Sequence, residues 1–169
     1  MPRMKNTSYA AIIVLAILAT ARSASAGGVA GSIGVGAEFE IRGAGGVSAN
    51  YDAGKFHVGG FFGYFDPQGP NNSEIDVGGR FFYHIASTAS SDFGLGGLLG
   101  FQSVPNAAGN RQTFLIIEPG FQIRTFIVPN VALSFTVGME IGTTVSGPSR
   151  DELNITGNII GQGGIHYYF

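Results

Sequence analysis

The sequence predicts an all-β fold, an eight-stranded antiparallel up-and-down transmembrane β-barrel preceded by a cleaved secretory signal peptide. Three observations predict it. Along eight successive segments, apolar or small residues alternate with more polar ones at a period of two, as strands with one apolar and one wetter face do. Charged residues are only 12% of the 169-residue chain, about half the share of an ordinary soluble domain, yet after residue 26 no apolar run approaches the ~20 residues of a membrane helix. An apolar chain without such a helix can cross a bilayer only as a closed barrel, because every backbone group must be paired internally.

The third observation is the leader. Arg3 and Lys5 precede an apolar run from Ala10 to Ala21, and Ala24-Ser25-Ala26 forms a small-x-small exit. A charged start, a short apolar middle and a small-residue exit describe a signal peptide, with cleavage after Ala26. The run is too short for a membrane anchor. Residues 27–169 then form one domain. Losing Arg3, Lys5 and Arg22 leaves six basic residues against all eleven acids, a formal charge of −5. That balance, with no Lys/Arg run, argues against nucleic acid as a partner. The chain has no cysteine, so an exported domain of this kind must be held by its own burial or by a membrane.

The first predicted strand, Val29 to Arg42, puts Val29, Ile33, Val35, Ala37, Phe39 and Ile41 on one face and Glu38, Glu40 and Arg42 on the other. A short return strand, Val47 to Tyr51, follows a turn at 43–46. The third strand, Phe56 to Phe65, has aromatic residues on both faces, so its facing is the least defined. The fourth, Glu74 to Ile85, alternates cleanly: Ile75, Val77, Phe81, Tyr83 and Ile85 against Asp76, Arg80, Phe82 and His84. The fifth, Asp92 to Ser103, turns Phe93, Leu95, Leu99 and Phe101 outward. The sixth, Gln112 to Phe126, sets Leu115, Ile117, Phe121 and Ile123 against Glu118, Gln122 and Arg124. Its Pro119 cannot donate to a ladder, which predicts a bulge or a local weakness. The seventh, Val131 to Thr143, sets Leu133, Phe135, Val137, Met139 and Ile141 against Ser134, Thr136 and Glu140. The eighth, Asn154 to Phe169, sets Ile165, Tyr167 and Phe169 against Gln162, His166 and Tyr168.

Most of these segments reach the nine to eleven residues of a tilted membrane strand. With both termini on the periplasmic side, loops 43–46, 67–73, 104–111 and 144–153 would face outward. Turns 52–55, 86–91 and 127–130 would face the periplasm, and they are the shorter set, as outer-membrane barrels prefer.

The signal peptide, the eight alternating segments and the terminal Phe169 with Tyr167 and Ile165 resemble small Gram-negative outer-membrane barrels of the OmpA/OmpX and opacity type. The resemblance covers essentially the whole mature chain and implies a bacterial outer-membrane location. It also implies that Ile165, Tyr167 and Phe169 are a barrel-insertion signal read by the insertion machinery, as well as part of an aromatic girdle.

An eight-stranded barrel has an interior just wide enough for side chains to fill. The inward parity collects Glu38, Glu40, Arg42, Asp76, Arg80, Glu118, Arg124 and Glu140, with His84, Gln162 and His166. Charges in so small a space should pair, Glu38 or Glu140 with Arg80 or Arg124. One reading is a polar plug: a structural barrel whose loops 67–73, 104–111 and 144–153 could touch a surface ligand. The other is a narrow channel or carrier for ions or small solutes. Acids outnumber bases five to three among the eight charges, so a conducting form would prefer cations. Phe61, Phe65, Phe82, Leu98, Phe114, Ile116 and Ile160 share the inward parity, as core filling or as an apolar path.

Catalysis is poorly supported. Some eight-stranded outer-membrane barrels modify lipid A with Ser and His, but Ser134, His84 and His166 fall on different strands, and no nucleophile elbow or phosphate loop is present. The three scattered His give no recognisable zinc site, and no cofactor is expected. Glycines recurring at a spacing of four, Gly59 and Gly63 for example, fall on one face of a strand and should make room for Phe and Arg.

Overall fold

The structure, a computed structural model, describes residues 29–40, 45–67, 72–106, 108–147 and 153–169, with backbone alone for Glu40 and 153–161. The predicted signal peptide and Ile41 to Arg42 lie outside the described residues.

Eight strands form a closed antiparallel barrel in which each strand pairs with the next and the eighth with the first. They are β1 (Ile33–Glu40), β2 (Gly46–Asp52), β3 (Phe56–Phe65), β4 (Glu74–Ser87), β5 (Ser91–Pro105), β6 (Arg111–Val128), β7 (Val131–Ser146) and β8 (Leu153–Tyr168). Closure runs from Gly34↔Tyr168 to Glu40↔Gln162. It is finished by Ile33 N donating to Phe169 O at 3.1 Å and Phe169 N to Ile33 O at 3.0 Å. No edge is left at that seam, which removes the usual hazard of a terminal strand. Following partners around the wall from Val35 leads through Ala49, Gly60, Gly79, Leu99, Ile117 and Ile141 to Ile155, whereas Val35's own partner on β8 is Tyr167. This stagger is what tilted strands need in order to close.

The strands are longer than their alternation suggests. β5 and β6 stay paired out to Pro105↔Arg111, through Ser, Thr and Gln residues that carry no apolar signal but complete the ladder. The strands thus run into the loops predicted at 104–111 and 144–153, β5 to Pro105, β6 from Arg111 and β7 to Ser146. β1 starts at Ile33 rather than Val29. Gly31 sits at φ +95°, and its N–H donates to Asp52 O, which bends the chain before the strand. Asp52, predicted in a turn, is the last residue of β2. Its Oδ1 accepts from Gly54 N at 2.7 Å, and Gly54, at φ +86°, takes the left-handed conformation that favours glycine. At Pro119 no bulge forms. The β6–β7 ladder lacks pairs at Glu118 and Pro119 and resumes in the same register, Ile117↔Ile141 and Gly120↔Gly138. The bulge nearest this point is on β8, where Met139↔Ile159 gives way to Glu140↔Thr156. A slip of two preserves the facing of every side chain.

One end of the barrel, the turn end, carries the tight connections 53–55, 88–90 and 129–130 together with Ile33 and Phe169. The other, the loop end, carries the longer ones. Val47, Phe62, Phe81, Leu99, Phe121 and Phe135 are all about half exposed on the outer wall. Among the described residues, glycines aside, thirteen buried residues are polar or charged and five are hydrophobic, so the core is polar and the apolar surface faces out. A water-soluble barrel distributes them the other way. β3 follows the same rule: His57 is 2% exposed and Phe62 50%, which settles the facing its aromatic pattern leaves open.

Candidate functional site: the filled lumen

The lumen is filled in tiers. At the turn end, Arg124 on β6 crosses the barrel to Asp52 on β2, Nη2 to Oδ2 2.5 Å, and reaches Asp92 on β5 at 2.6 Å. Its Nη1 donates to the Tyr168 hydroxyl at 3.1 Å. The guanidinium lies 5.2 Å from the Phe126 ring centroid and 5.5 Å from that of Tyr168, within cation–π range. Phe126, Ala132 and Tyr168 pack together beneath it. Beside this cluster, His84 Nδ1 lies 2.8 Å from Gly54 O, and His84 Nε2 lies 2.8 Å from His57 Nδ1. A carbonyl only accepts, so His84 Nδ1 carries the hydrogen, and for neutral rings His57 Nδ1 donates to His84 Nε2.

In the middle tier Arg80 pairs with Glu38. Its Nε and Nη2 donate to Asn50 Oδ1 at 3.1 and 2.8 Å. Gly59, opposite Arg80 on β3, makes the room: a Cβ there would meet Asn50 Oδ1 and lie 2.7 Å from Arg80 Nε. His166 Nε2 is 2.6 Å from Ser48 Oγ and 3.5 Å from Glu38 Oε1. Serine, histidine and glutamate therefore meet, but serine and carboxylate approach the same ring nitrogen. In a catalytic triad they hold opposite nitrogens, so that the carboxylate orients the base.

Toward the loop end Gln162 Nε2 donates to Glu118 Oε2 at 3.0 Å, and Gln102 Nε2 to Glu74 Oε1 at 2.9 Å. Asp76 is buried, and Glu140 is half-buried. Arg111, exposed on the rim, ties β6 to Ser103 on β5 and to Ser73 before β4, with Nε and Nη1 donating at 3.0 Å each.

Of the residues the sequence nominates, Glu38, Asp76, Arg80, His84, Glu118, Arg124, Gln162 and His166 are placed in these tiers, and Glu140 lies at the loop half of the wall. The Glu40 side chain and Arg42 lie outside the described residues. Arg124 takes Asp52 and Asp92, not Glu140 or Glu38, because it sits near the turn end opposite Ser134 of β7, whereas Glu140 sits far up the same strand. Phe65, nominated as an inward residue, is 55% exposed at the loop rim, where β3 has outrun β2. Sequence reasoning puts Tyr168 on the inner face but nominates neither it nor Asp52, Asp92, Asn50, Ser48 and His57. Strand alternation turns Asp52, Asp92, Asn50, Ser48 and Tyr168 inward, so for these the signal was there, whereas His57 lies on β3, whose facing the sequence leaves open. Among the described residues, no three His, Asp or Glu side chains are grouped as metal ligands would be.

No protein-family model matches the chain, and no curated protein sequence matches it.

Proposed function

We propose that this protein is a bacterial outer-membrane barrel of the OmpA/OmpX and opacity type, a structural barrel with a plugged lumen that presents short loops for surface interaction. One observation carries the reading: a polar, densely paired interior inside an apolar wall. Such a wall is stable where the solvent is hydrocarbon. Asp52, Phe82, Arg124, His166 and Tyr168, drawn from four of the eight strands, are each 2% exposed or less. Side chains so enclosed border no water column, which favours the plug over the channel. Its partners in this reading are outer-membrane lipid, the insertion machinery acting through Ile165, Tyr167 and Phe169, and a surface ligand at the loop end.

Reconstitution into a planar bilayer tests it. The plug predicts electrical silence together with heat-modifiable mobility on a gel. Steady single-channel current altered by Arg80→Gln would overturn the plug, and absence from the outer-membrane fraction of cells would overturn the location.

A further inference from the structure

The outer wall carries a groove of about 950 Å³. Its outward-facing lining falls on two neighbouring rows of the ladder. The first runs through Val131, Tyr167, Val35, Ala49 and Gly60, each the register partner of the next. In the second, Ala37 pairs with Ile165 on one side and Val47 on the other, and Val47 pairs with Phe62. Ala37, Ala49 and Gly60 contribute a methyl group or less, whereas Tyr167, Ile165 and Phe62 stand around them. Glycine inside a strand weakens it. At Gly60 a Cβ would meet nothing closer than Gly78 O at 3.6 Å, so packing within the barrel does not require glycine there.

The first row crosses five strands, so it spans four inter-strand spacings of about 4.8 Å, or about 19 Å. It also climbs. Val131 is the first residue of β7, at the turn end, and Gly60 is four residues into β3 from the same end. Membrane strands tilt by about 35–45°, so a row at right angles to them rises by about 11–13 Å. That is most of one leaflet, half of a hydrocarbon core about 30 Å thick. We propose that the groove seats one acyl chain of a phospholipid in the leaflet at the turn end. Its outward-facing lining is apolar apart from the Tyr167 hydroxyl, as a hydrocarbon chain requires. A second copy of this chain fits less well. A strip about 19 Å by 10 Å offers about 200 Å², against about 800 Å² per partner in a stable protein interface, and one concave patch pressed on its own copy leaves a void. The proposal rests on the membrane reading of the barrel.

The test uses the barrel refolded in uncharged detergent micelles, its methyl groups observed by NMR, and a phosphatidylethanolamine spin-labelled midway along one acyl chain. Paramagnetic relaxation of the Ala37, Val47 and Ala49 methyls should exceed that of Leu95 and Ile123 several-fold. Those two are about half exposed on β5 and β6, at a similar distance from the turn end. The excess should saturate near one lipid per barrel, and the same lipid without the label should displace it. Ala49→Leu, which puts a side chain into the groove, should remove the excess. Equal relaxation of all outward methyls would overturn the groove and leave the membrane reading standing, since lipid then only coats the wall. No relaxation of any outward methyl would overturn the membrane reading as well. Groove methyls that respond to protein concentration and not to lipid would make a second copy the occupant and overturn the proposal. An undiminished excess in Ala49→Leu would also overturn it. The wild-type profile decides the matter even if the variant does not refold.

Discussion

Arg124 and Asp52 stand 72 residues apart in the chain and 2.5 Å apart in the lumen, their side chains 2% and 0% exposed. This contact joins β6 to β2 through the barrel interior, a link the neighbour-to-neighbour ladder cannot make. Asp92 and the Tyr168 hydroxyl complete the arginine's partners, so the turn end is held by one cation shared between two carboxylates.

Arg124→Met should therefore be among the most damaging single substitutions. It leaves the buried Asp52 and the half-buried Asp92 without their cation, a loss of about 3–5 kcal/mol for breaking a buried pair from one side. Tyr168→Phe removes one hydrogen bond to the charged group and should cost about 1.5–3 kcal/mol. Urea unfolding of the vesicle-embedded protein measures both, and an Arg124→Met loss no larger than that of Tyr168→Phe would contradict the assignment.

Neighbouring glycines on β3 should behave in opposite ways. A methyl group at Gly59 collides with Asn50 and Arg80, whereas at Gly60, on the outer face, the nearest atom is Gly78 O at 3.6 Å. Gly59→Ala should cost about 1–3 kcal/mol through overpacking, and Gly60→Ala should be tolerated. The same unfolding assay reads the difference, and equal effects would mean that the lumen has room for a methyl group at Gly59.

A charge on the outer wall separates membrane from water. Leu99 is 54% exposed. In a bilayer Leu99→Arg should destabilise by about 2–4 kcal/mol near the midplane. On a water-facing surface the same change falls within about 0.5 kcal/mol. Unfolding from vesicles that gives the smaller figure would place this face outside the hydrocarbon.

The proposed insertion signal can be separated from barrel closure. The backbone of Phe169 makes both seam hydrogen bonds to Ile33, and Phe169→Ala keeps them. Refolding in detergent should be nearly unchanged, while the fraction assembled in the outer membrane of cells, read by heat-modifiable mobility, should fall several-fold. Normal assembly of the variant would confine the aromatic ring to a girdle role.

The period of two made β4, β6 and β7 legible from their residues, because one face of the wall is apolar and the other meets a polar filling, and every slip of one would exchange them. It was least decisive on β3, where Phe61 and Phe65 share a parity with His57, and it stopped short at strand ends such as Val104 to Pro105. There the ladder is held by backbone bonds to β6 and owes nothing to alternation. The inward set could likewise be read from parity, including residues such as Asp52 that look like turn formers in isolation. The partners could not.

Alternation by itself determined that this chain makes eight strands with an apolar outer face and a charged inner one. Only the closed barrel decided which charges meet. Parity is local and tells which side of the wall a side chain takes, whereas its height in the lumen depends on the stagger accumulated around all eight strands. That accumulated stagger sets Arg124 beside Asp52 and Asp92 and brings Arg80 to Glu38.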